Sequence, residues 1–150
     1  MNGLLAPPKI ANLVQTKGAL ALRGAPEGLD AAALSEAALK RGGVTLFVAR
    51  EETRAARFEA AAKFFAPELA SLRLPAWDTL PYDRISPAAA VAAQRCAALA
   101  QLARSRAGEP PLLVIATASA VAQRAPPRKR LGEGAFAANT GDELEMAALE

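Results

Sequence analysis

Three groups of residues in this chain have types and spacings that bear on chemistry. The first is Gly24 and Gly28, within Arg23-Gly-Ala-Pro-Glu-Gly-Leu-Asp30, between a short apolar run and a helical pattern. A nucleotide-binding α/β domain carries its phosphate loop at such a place. The loop needs glycines for close backbone approach, a lysine for the phosphates and a Ser or Thr for magnesium. The glycines are present, no Lys-Ser/Thr pair follows, and Glu27 and Asp30 would repel a phosphate. The stretch therefore reads as a strand–helix turn that holds no cofactor. The second group is Leu74-Pro-Ala-Trp-Asp-Thr-Leu-Pro-Tyr-Asp-Arg-Ile-Ser-Pro87, with the only Trp and the only Tyr of the chain. Asp78 and Asp83 could act as acid and base or hold a cation. No further ligands lie nearby in sequence, so caps and turn-forming hydrogen bonds are the preferred reading. Trp77 and Tyr82 could stack on bases; pinning the connection onto the sheet edge is preferred. The third group is Arg128-Lys129-Arg130, a candidate contact for nucleic acid or an acidic partner. Solvation is the default for these three cations, as it is for Arg54, Arg57 and Lys63 on the polar side of a helix.

Composition removes other chemistry. There is no histidine, hence neither the commonest metal ligand nor the commonest general base near neutral pH. No metal site is expected. The single cysteine, Cys96, has no partner for a disulfide and no histidine to activate it, so a buried small hydrophobe is expected there. The formal charge of +3 is too small an excess to argue for nucleic acid by itself. No apolar run reaches the length of a membrane span, and Met1 to Lys17 lacks the pattern of a secretory signal. The expected compartment is the cytoplasm.

The elements that must position these residues follow from periodicity and punctuation. A short helix is expected at Ile10–Thr16 and a buried strand at Gly18–Arg23, ended by Gly24 and Pro26. Leu29 to Arg41 reads as a helix with Leu29, Ala33, Leu34, Ala37 and Ala38 on one stripe, stopped by Gly42-Gly43. Val44–Val48 is a strand, and Glu51 to Phe65 a helix with an acidic first turn. Leu72–Leu74 is a short strand leading into the Trp-containing string. Ser86-Pro87 suits an N-cap followed by a first helical proline, opening a helix to about Arg106. Leu112–Ala116 is a further strand, and Thr117 caps a short helix, Ala118 to Gln123.

Alternating strands and helices predict a three-layer α/β fold, a parallel sheet with helices on both faces. The apolar runs suit strands buried on both sides. Ala125-Pro-Pro-Arg-Lys-Arg130 reads as an exposed boundary. It divides residues 1–125, an α/β domain, from residues 126–150, the start of a second, small α+β domain. In the latter, Ala135–Ala138 is an expected strand and Gly141 to Glu150 an expected helix. The pattern is still helical at Glu150, as in a piece of a longer protein.

The order of elements and the Trp77–Pro87 string together resemble the N-terminal region of the bacterial transcription-repair coupling factor, an ATP-driven translocase that removes stalled RNA polymerase and recruits excision repair. The matching residues are Trp77, Asp78, Leu80, Pro81, Tyr82 and Asp83, then Ser86-Pro87 opening a helix with Gln94-Arg95. The strand Leu112–Ala116, Thr117 and Val121-Ala-Gln-Arg124 follow in order. The resemblance covers most of the chain, most firmly Val44 to Pro127. It implies a degenerate nucleotide-binding-like domain similar to that of the excision-repair helicase subunit UvrB, then a smaller domain that binds UvrA. It also implies that this region contacts other domains of the parent protein. RNA polymerase, DNA and ATP would be engaged by modules outside this chain, which would itself be non-catalytic. UvrB carries a long aromatic hairpin where this chain has only Tyr82 to Pro87, too short to build one. Two other readings remain: a nucleotide-dependent enzyme domain with a divergent phosphate site, and a direct DNA-binding module using Arg128–Arg130 with Trp77 and Tyr82.

Overall fold

The run Leu112-Leu-Val-Ile-Ala-Thr117 is apolar at five consecutive positions and becomes the central strand of a sheet. The computed structural model describes residues 25–80, 82–105 and 110–133, with positions 18, 19, 21, 23, 141 and 143. In chain order the elements are α1 (Leu29–Arg41), β1 (Val44–Ala49), α2 (Glu52–Phe65), β2 (Ala70–Leu74), α3 (Ala89–Arg104), β3 (Leu112–Thr117), α4 (Ala118–Ala122) and α5 (Arg128–Glu133). The strands form one sheet in the order β1-β3-β2. Both pairings are parallel, with Val44 and Ala70 on either side of Leu112.

The chain crosses the sheet one way from β1 to β2 and returns from β2 to β3. Right-handed crossovers then require α2 and α3 on opposite faces, and the core divides accordingly. On one face Leu113 and Ile115 of β3 meet Ala31 and Ala38 of α1 and Ala55, Phe58 and Ala62 of α2. Alanines at the helix contacts let α1 and α2 approach closely. The bulk comes from Phe58, whose ring stacks on Phe47 with centroids 3.5 Å apart. On the other face Leu112, Val114 and Ala116 meet Leu74, Ala98 of α3 and Ala120 of α4.

The α/β class, the parallel sheet and the helices on both faces agree with the sequence reading, and several details differ. Gly18, Ala19, Ala21 and Arg23 are exposed and in no strand; alanine and glycine favour strands poorly. The described sheet thus has three strands rather than four. The expected helix at Ile10–Thr16, the strand at Ala135–Ala138 and, apart from positions 141 and 143, the last expected helix lie outside the described residues. Only β3 is buried along its whole length. In β1, Val44, Leu46 and Val48 are 44%, 49% and 46% exposed, because α3 covers β2 and β3 and stops short of the β1 edge. Along α1 the buried residues are Ala31, Ala33, Ser35 and Ala38, while Leu29, Leu34 and Ala37 are half-buried.

Residues 125–130 are exposed, as read from the sequence, and the last three of them are helical. Arg128 to Arg130 are not a free linker but the first residues of α5, which lies against α3. Arg128 donates from Nε to Ala103 O at 3.0 Å and from an Nη to Ser105 O at 2.5 Å. Those carbonyls belong to the end of α3, where a cation is favoured by the helix dipole.

Candidate functional site

The turn into α1 is built around Gly28, whose φ of 93° is a left-handed conformation suited to glycine. Gly24 lies outside the described residues. This turn carries two ion pairs. Arg57 reaches Glu27 at 3.3 Å, and Arg54 is paired with Asp30. Arg54 also lies over the Phe47 and Phe58 rings, 5.7 and 6.0 Å from their centroids. The arginines read from sequence as a solvated face therefore neutralise the acidic turn across the α1–α2 contact. Lys63 likewise pairs with Glu59 at 3.1 Å. The sequence did carry a signal for this: Glu27 and Asp30 are three apart, as are Arg54 and Arg57.

The second candidate region is the connection from β2 to α3, at the ends of the strands. In open α/β sheets ligands bind outside the carboxyl ends of the strands. Here the protein's own side chains lace that crevice. Arg95, only 1% exposed, donates to Pro75 O at 2.6 Å and to Ala120 O at 3.2 Å. Its guanidinium lies 5.5 Å from the centre of the Trp77 ring. No carboxylate pairs with it among the described residues, and its Nε has no partner. Burial pushes the guanidinium below its usual pKa, partly opposed by Cys96. The Gln123 side chain closes the same gap twice. Its Oε1 accepts from Trp77 N at 2.7 Å and its Nε2 donates to Trp77 O at 3.3 Å. Nothing in the sequence marks Gln123 for this role.

The two aspartates hold the connection in shape. Asp83 Oδ2 accepts from Leu80 N at 2.7 Å, while Asp83 N donates to Leu80 O, closing a turn. Both Asp78 oxygens accept from Ala88 N, at 3.2 and 3.3 Å. Ala88 is the N-cap residue of α3. This corrects the expected start of that helix: Ser86 is exposed and Pro87 half-buried, both precede it, and a carboxylate ten residues upstream accepts from the N–H of its N-cap residue. Thr117 does cap α4 as expected, accepting from Ala120 N at 3.2 Å.

Two other expectations are corrected. Trp77 is half-buried against Arg95, but Tyr82 is 97% exposed and pins nothing to the sheet. Leu80 and Ile85 are exposed beside it, and Pro81 lies outside the described residues. Cys96 is exposed, because the buried side of α3 runs through Arg95 and Ala98 and turns Cys96 outward. Among the described residues no three His, Cys, Asp or Glu side chains gather as metal ligands, and no helix is long and apolar enough to cross a membrane. Beside the crevice, a shallow groove of about 240 Å³ runs over Val44, Leu46, Leu74, Leu99 and Val121.

These features define a parallel α/β module whose strand-end crevice is closed by its own side chains and whose α1 turn is acidic and internally neutralised. No family model, curated protein or solved structure matches the chain.

Proposed function

We propose that this chain is a non-catalytic module from the N-terminal region of a transcription-repair coupling factor. In that reading it supports recruitment of UvrA through the domain that begins near Pro126, and it restrains a DNA-translocating motor by contact with other parts of the parent protein. The observation that carries the non-catalytic part is the turn into α1. Glu27 and Asp30 lie in the turn that the sequence reading compared with a phosphate loop, and Arg57 and Arg54 are paired with them. The self-bridged β2–α3 connection favours a scaffold in the same way. It uses Trp77 and Asp78 of the string that suggested the family and Arg95 of the helix that follows, each in a hydrogen bond or ring contact.

The test is a titration of purified UvrA with this chain, beside a version extended by about 60 residues, roughly the size of a small second domain. Binding by the extended version alone supports the division of roles, with this chain as scaffold. Binding by both supports the partner and moves the contact surface ahead of Glu150. Binding by neither overturns the partner assignment.

A further inference from the structure

β1 ends the described sheet on one side, and three properties of that edge converge. The first is the direction of its backbone groups. Leu112 N donates to Gly43 O at 2.9 Å, so the polar groups of residues 43, 45 and 47 point toward β3. Those of Val44, Leu46 and Val48, alternating with them, point away from the sheet. The second is that the same three residues carry the exposed apolar side chains of the strand. The strand Val44-Thr-Leu-Phe-Val-Ala49 has no charge, proline or glycine, the features by which exposed edges are normally protected from pairing. The third is charge. Arg41 and Glu51 lie five residues to either side of Leu46; both are exposed, and neither joins an ion pair among the described residues.

We infer that the β1 edge joins two copies of this chain, antiparallel about a two-fold axis, with Leu46 opposite Leu46 of the second copy. An isologous contact must be self-complementary, and this register is so in all three respects. It sets Val44 opposite Val48 of the second copy on both sides of the axis, so every outward N–H and C=O meets another outward group. It keeps the three apolar side chains on one face, in cross-strand pairs. It brings Arg41 of each copy to the end of the ribbon where Glu51 of the other lies. Sliding one copy by a single residue would set outward groups against inward ones and apolar side chains against the opposite face. Sliding by two would keep the faces but lose a pair and separate the charges. The product is a six-stranded sheet continuous through the axis. This contact is independent of the function proposed above.

Sedimentation equilibrium of the whole chain from about 10 to about 500 µM tests it, a range in which micromolar to sub-millimolar dimers are resolved. The expected result is a monomer–dimer equilibrium. Leu46→Lys, which sets two cations face to face at the axis, weakens it by at least about tenfold. Arg41→Glu and Glu51→Arg each weaken it several-fold, and the two together restore it. That rescue is specific to this register. Circular dichroism establishes that the variants are folded, and because Arg41 and Glu51 are exposed, the charge exchange stands as a test even where Leu46→Lys fails to fold. A monomer throughout the range, a dimer indifferent to Leu46→Lys, or a double exchange without rescue would each overturn the inference.

Discussion

The turn into α1 and the connection into α3 are both places where an α/β enzyme would do chemistry, and they are closed by different means. At the first, opposite charges meet near the surface. Arg54 and Asp30 each keep about a third of their side chain exposed, at 31%, and Arg57 and Glu27 are largely in water. At the second, a single cation is sunk out of water with no opposite charge among the described residues. It is held by two main-chain carbonyls and a Trp ring. Screened pairs can be lost one at a time at small cost, whereas a buried bridge fails as a unit. The comparison teaches that β2, α3 and α4 are tied at one atom cluster, while α1 and α2 depend mainly on apolar contact with charge added.

The largest effect is expected at Arg95. Arg95→Ala leaves Pro75 O and Ala120 O without their donor and opens a cavity beside Trp77, for a loss of about 2–4 kcal/mol. Arg95→Met fills the space and removes the desolvated charge, and should cost less, about 1–2 kcal/mol. Urea unfolding followed by fluorescence of Trp77, the only tryptophan, measures both. If Arg95→Ala proved as mild as a surface substitution, the contrast between the two regions would collapse. Gln123→Ala comes next, at about 1–1.5 kcal/mol for two hydrogen bonds to Trp77. A red shift of Trp77 emission should accompany it as water enters the gap.

Asp78→Ala should cost about 1 kcal/mol, the usual value of a helix cap, read as lost stability with fraying of the first turn of α3 in amide exchange. The smallest effects belong to the α1 turn. A double-mutant cycle on Asp30 and Arg54 should give a coupling of about 0.5–1 kcal/mol, and one on Glu27 and Arg57 about 0–0.5 kcal/mol. Both should shrink in about 1 M salt, while the Arg95 effect should barely move.

Periodicity made most of the scaffold legible. Alanine- and leucine-rich runs between Gly28 and Gly42 delimit α1, and the β-branched run after Gly43 delimits β1, each within a residue of the observed bounds. Burial of β1 was not legible, because apolar content says what a strand can bury and not whether a helix lies over it. Arg95 stood out through the family resemblance, but its burial did not: the carbonyls that hold it come from Pro75 and Ala120, 20 and 25 residues away, and carbonyls are present at every position. Asp78 read correctly as a candidate cap, yet Ser86-Pro87 offered a nearer and better local signal for the same helix. The long-range carboxylate wins because the chain doubles back between Thr79 and Ser86 and brings Asp78 to Ala88 N.

The function proposed above requires that the α1 turn, neutralised by its own ion pairs, binds no nucleotide. Thermal unfolding of the chain with magnesium and ATP, up to millimolar nucleotide, tests it most directly, since a ligand bound only to the folded state must raise the midpoint. The account predicts no saturable shift, both for the native chain and for an Asp30→Asn variant that frees Arg54. A saturable rise in the native chain, abolished by substitution at Gly28 or Arg54, would contradict it.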